Sequence, residues 1–166
     1  MPAPATIKSE IAIKDGPKEA LKDFVIDVDA YLPVSMMIPS KPEGEKDCTT
    51  VIIDAGKRSH IQFFLLHEAS GKYYAQSCPK SDIALHLQFA KDGEDKWSDD
   101  RDTIRLDAPM FLTGYSLSLL PDRVERILVQ NMANSNLDLR ILIGKTMKPR
   151  GPEAALFPNQ VIPKAK

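Results

Sequence analysis

The chain has 166 residues, 43% of them apolar and 27% charged, so it can bury a core without disulfide or metal staples and is too apolar to be disordered throughout. Twenty-two basic against twenty-three acidic side chains leave a net charge of -1, which excludes a global field able to gather nucleic-acid phosphates or an anionic bilayer. Met1 to Glu10 lacks a basic segment followed by an apolar run, and no apolar stretch approaches membrane-spanning length. A protein of cytoplasmic origin is expected, with neither nucleic acid nor membrane as a direct partner.

Residues 1–22 carry Pro2, Pro4 and the Gly16-Pro17 break around one short alternating piece, Ile11 to Ile13, and read as an arm. From Phe24 the pattern turns to period two, with Phe24, Ile26 and Val28 on one side and Asp27 and Asp29 on the other, as in a half-buried strand. Pro33 and Pro39 bracket Val34 to Ile38 and confine any strand there to an edge or a short piece, and Pro42 to Lys46 is a polar loop. Val51 to Ile53 is the next strand. Ile61 to His67 and Lys72 to Gln76, joined by Glu68-Ala69-Ser70-Gly71, read as a hairpin because Gly71 can take the positive φ of a short turn.

Ile83, Leu85, Leu87 and Phe89 alternate with Ala84, His86, Gln88 and Ala90, which predicts a one-sided strand ended by the Lys91-Asp92-Gly93 turn. After a charged loop, strands are expected at Thr103 to Leu106 and within Phe111 to Leu120, the latter region broken by Pro109 and Gly114. Val124 to Gln130 and Leu137 to Ile143 flank a turn-rich segment, Asn131 to Asn136, and read as a second hairpin. From Met147 onward, Pro149, Pro152, Pro158 and Pro163 exclude a helix or a central strand. Short strands separated by turn residues thus predict an all-β chain, an antiparallel sandwich or barrel over 24–146, with an N-terminal arm at 1–23 and a proline-rich tail at 147–166.

Chemistry leaves few traces. Gly144-Lys145-Thr146 is not a phosphate-binding loop, because the first glycine of that motif would fall at Leu139. His60, His67 and His86 lack the spacing of a metal pair on one element, although His67 and His86 could approach across adjacent strands. The acidic residues from Asp92 to Asp102 lack the alternate-position ligands of an EF-hand and include Lys96 and Arg101. Cys48 and Cys78 lie outside any CxxC pattern, so no metal, cofactor or catalytic residue is expected; a single disulfide between them stays open.

The run from Leu85 to Gly93, followed by Trp97, resembles the strand, Asp-Gly turn and tryptophan pattern of small β-sandwich modules in phage structural proteins and in discoidin-like binding domains. Arg126 to Asn131 and Leu137 to Gly144 are similar to the closing hairpin of that architecture. The resemblance implies a turn at Asp92 and Gly93 and a Trp97 that folds back as a lid on the sandwich. Combined with the two proline-punctuated ends, it leads to the expectation of a non-enzymatic subunit of a homo-oligomer within a larger protein assembly, such as a virion capsid-decorating or tail component. Pro149, Pro152, Leu156 and Phe157 are the candidate assembly contacts, since proline-stiffened apolar anchors lose little entropy on docking. The alternatives are a carbohydrate-binding module using Tyr73, Tyr74, Trp97 and Tyr115, and an enzyme with His67 or His86 as a base.

Overall fold

The computed structural model describes residues 3–40, 48–56, 60–73, 84–91, 93, 95–98, 103–121 and 123–146. These residues are almost wholly strand: β1 (Ala3–Ala12), β2 (Lys18–Val28), β3 (Ala30–Ile38), β4 (Thr49–Asp54), β5 (His60–Glu68), β6 (Leu85–Lys91), β7 (Ile104–Leu106), β8 (Met110–Thr113), β9 (Val124–Asn131) and β10 (Leu137–Thr146). They form two four-stranded antiparallel sheets, β3-β10-β5-β8 and β4-β9-β6-β7, and a separate two-stranded ribbon, β1-β2. Both larger sheets are open, with β3, β8, β4 and β7 at their edges, so the chain is a sandwich and not a closed barrel.

Alternation along the strands builds the core. β10 turns Leu137, Leu139, Ile141 and Ile143 inward, and β5 adds Phe64 and Leu66 from beside it. Leu87, Phe89, Ile127 and Val129 face them from the second sheet. The Phe64 and Phe89 rings meet edge to face across the layers, centroids 6.3 Å apart, a geometry that aligns ring edge with ring face. At one end Lys145 ties the layers together, its Nζ donating to the carbonyl of Ala55 just after β4. Burial lowers the Lys145 pKa, and the Asp54 carboxylate opposes that shift.

Pro33 lies within β3, an edge strand as its missing N–H requires. Gly71 has φ 75°, in keeping with the turn expected there. The strand expected after that turn is absent where it is described: Lys72 and Tyr73 are not strand, β5 pairs with β10 and, from Phe63 to Leu66, with β8, and Tyr74 to Gln76 lie outside the described residues.

The second expected hairpin is also corrected: β9 and β10 occupy their predicted positions but belong to opposite sheets, so residues 132–136 arch across the end of the sandwich. Asn131, fully buried, stabilises that arch. Its Nδ2 donates to the carbonyls of Ile38, Pro39 and Ser135, and its Oδ1 accepts from the Ala133 amide at 2.8 Å. A turn-rich loop closes a hairpin only if its ends stay in one sheet, and here the buried amide holds the crossing.

β6 is not one-sided, since His86 and Ala90 are buried as well as Leu85, Leu87 and Phe89. The strand expected within Phe111 to Leu120 stops at Thr113. Gly114 takes φ 56° and starts a short 3₁₀ helix, Gly114–Leu119, held by hydrogen bonds between Ser116 Oγ and the Thr113 amide and carbonyl. The N-terminal segment is paired and not a lone extended arm: β1 and β2 run antiparallel from Ala3↔Val28 to Ala12↔Lys18, with a bulge between Ile7 and Ser9. The expected boundary at residue 24 therefore falls inside β2.

Candidate interaction surfaces

The ribbon joins the sandwich at its base. Asp29 donates its amide to the carbonyl of Lys145, and Thr146 Oγ1 donates to Asp29 Oδ2 at 2.8 Å. Next to this hinge, Phe63 and Val28 close over Gly144, whose missing side chain leaves room for both; a Cβ there would sit 2.8 Å from Val28 Cγ1 and collide with the Phe63 ring. Val28 is 3% exposed, whereas every residue from Ala12 to Ala20 is exposed, so the far end of the ribbon stands clear of the sandwich. Ala5, Ile7 and Ile26 are half-buried, and Ile13 and Val25 are each 59% exposed.

Phe63 belongs to the outward face of the β3-β10-β5-β8 sheet, and that face is apolar beyond it. Pairing register aligns Pro33, Leu142, Leu65 and Phe111 in one row across all four strands. Leu142 and Leu65 are half-buried, and Phe111 remains 40% exposed at the edge. One row further along lie Ser35, Arg140 and His67. Arg140 Nε and Nη2 each donate at 2.9 Å to the carboxylate of Asp138, which lowers the Asp138 pKa and raises that of Arg140. An apolar centre beside a polar margin is the anatomy of a protein interface.

These residues carry a sequence trace that period-two reading passes over. Phe63-Phe64-Leu65-Leu66, Met110-Phe111-Leu112 and Ile141-Leu142-Ile143 are apolar at consecutive positions, and in a strand that means apolar residues on both faces.

The expected lid is placed in part. Asp92 lies outside the described residues, while Gly93 has φ 78° and donates its amide to Glu125 Oε2 at 2.9 Å. Trp97 does not join the core cluster: it is half-buried on the second sheet, with the Arg126 guanidinium 5.0 Å from its ring centroid. Ser98 fixes the loop against β6, its amide donating to the Phe89 carbonyl, its Oγ accepting from the Phe89 amide, and its carbonyl accepting from Gln88 Nε2. Of the expected assembly contacts, Pro149, Pro152, Leu156 and Phe157 all lie outside the described residues.

His67 and His86 are not on adjacent strands. His67 lies in β5 opposite Arg140, and His86 lies in β6 of the other sheet, opposite Arg105 and Gln130. Burial, then the Arg105 charge, lowers the His86 pKa. Gly144, Lys145 and Thr146 are strand residues of β10. Tyr73 is buried, its hydroxyl accepting from the Glu68 amide, while Tyr115 is 63% exposed on the 3₁₀ helix and Tyr74 lies outside the described residues. Among the described residues no group of three or more His, Cys, Asp or Glu could hold a metal ion, and no helix is long and apolar enough to cross a membrane. No family model, curated protein or solved structure matches the chain.

Proposed function

We propose that the protein is a non-enzymatic structural subunit of a homo-oligomeric assembly, such as a virion capsid-decorating or tail component, the class its Leu85 to Trp97 pattern resembles. The observation that carries the reading is the β1-β2 ribbon. A two-stranded ribbon alone in water is marginal at best, and a third strand or a packed face is needed to stabilise it. Among the described residues it stands clear of its own sandwich, with Ile13 and Val25 exposed, so a partner's surface is the natural source of the contact it lacks there. The outward row of Pro33, Leu142, Leu65 and Phe111 supports the same reading.

Size-exclusion chromatography with light scattering tests it. The full chain is expected to show a defined oligomer or larger particles whose population rises with concentration. A monomer at every concentration up to the millimolar range would sink the proposal. Removing residues 147–166 in the same experiment assigns or denies a share of the assembly to the proline-rich tail.

A further inference from the structure

We infer that the β1-β2 ribbon of one copy docks on the outward face of the β3-β10-β5-β8 sheet of a second copy, over the row Pro33, Leu142, Leu65 and Phe111, and that the exchange is reciprocal. The inference rests on the homo-oligomer reading and names the two surfaces that would carry it.

Three observations converge on this occupant. First, ribbon and face already touch within one chain: Val28 at the ribbon's base packs over Gly144 beside Phe63, on the same side of the sheet as the apolar row. Ile26 follows Val28 at the two-residue spacing that keeps it on the same side of β2, opposite Ala5, so the apolar surface continues outward along the ribbon. Second, the two surfaces lack the same thing. Among the described residues the ribbon has no third strand or layer and the face has no covering layer beyond Val28, although Tyr31, Met37 and Phe111 on it are exposed.

Third, the dimensions select reciprocity. β1 has ten residues, so the ribbon is about 33 Å long, and two strands with their side chains are about 10 Å wide. One ribbon laid on one face therefore covers roughly 330 Å², well short of the ~800 Å² per partner that a specific interface buries. When each copy gives its ribbon and receives the other's, the covered area doubles, and the corrugation of the side chains brings it near that size. A two-fold pair is the simplest closed arrangement in which every ribbon and every face is used. Hydrogen bonds from Asp29 to Lys145 and from Thr146 to Asp29 anchor the ribbon where it leaves the sandwich, and Arg140 and Asp138 form the polar rim beside the docked strands.

The test uses the full chain and two substitutions, Phe111→Asp on the face and Ile26→Asp on the ribbon, with mass read by light scattering and folding by circular dichroism. Phe111 lies on an edge strand and is 40% exposed, so F111D is expected to keep the sandwich folded. Each variant is expected to lower the association constant at least a hundredfold. An oligomer that survives F111D, in a variant shown to be folded, overturns the inference while leaving the homo-oligomer reading intact; loss of the oligomer only on removal of residues 147–166 does the same and moves the contact to the tail. A wild-type chain that is monomeric throughout overturns both. Should I26D unfold the ribbon, F111D alone decides, because it leaves the ribbon's sequence untouched.

Discussion

Gly144 is irreplaceable for a reason of space and not of backbone angle. Phe63 and Val28 occupy the volume a Cβ would need, on the side of the sheet where the ribbon is attached. Gly144→Ala is expected to lower stability by about 1–3 kcal/mol, the usual cost of overpacking, and Phe63→Leu in the same chain should return part of the loss, measured by chemical denaturation of the two single variants and the double. Asn131 is constrained by polarity instead. Its Nδ2 faces three carbonyl oxygens, so Asn131→Asp, which has the same shape, places an acceptor against acceptors. We expect a loss of about 3 kcal/mol or more at neutral pH, partly recovered in acid where the introduced carboxyl gains a proton and becomes a donor. Asn131→Ala should cost less than Asp at neutral pH, since it removes the donor without adding a buried charge.

At the scale of the element, the ribbon and the arch show what pattern can and cannot supply. Among the described residues the ribbon's amides pair only with each other over most of its length, so they should open locally far more often than those of β10, which is paired on both sides. Hydrogen exchange on a dilute sample should therefore show weak protection from Thr6 to Val25 and strong protection from Leu139 to Ile143. If the ribbon docks on a second copy, its protection rises with protein concentration while that of β10 stays fixed. Strand positions were legible because period-two alternation follows from burial of one face, as at Val124 to Gln130 and Leu137 to Ile143. Partners were not, because turn-forming residues from Met132 to Asn136 suit a hairpin and an arch equally; what separates the two is the buried contact of Asn131 with Ile38, more than ninety positions away. The candidate surface was hidden for a similar reason. Leu65 and Leu142 look like core residues in sequence, and only the register that aligns them with Pro33 and Phe111 shows that they point outward.

The molecule as a whole should respond to acid in two stages, because the ordinary values of its perturbed groups, 6.5 for His86 and 4.5 for Glu68, lie apart. His86 has a lowered pKa, from burial first and the Arg105 charge second, so its neutral form is the one the fold accepts. Below its ordinary value near 6.5 the unfolded chain binds the proton before the folded chain does, and stability falls with falling pH until the folded pKa is passed. Glu68 acts lower down. Burial raises its pKa, but hydrogen bonds from Ser70 Oγ and from the amides of Lys72 and Asp138 outweigh that and hold it below 4.5. Its stabilisation is complete above 4.5 and is lost as pH falls through the lowered value, when protonation removes acceptors that hold the end of β5 to the start of β10. Asp138, paired with Arg140, adds to the same lower window. Denaturation measured across pH 3 to 8 should give a first decline below about 6.5 and a second below about 4.5. His86→Gln is expected to flatten the first and leave the second, and Glu68→Gln to shrink the second and leave the first. A wild-type profile flat between pH 5 and 7 would contradict the buried neutral state of His86, and a lower decline unchanged in E68Q would assign it to Asp138 or to other carboxylates instead.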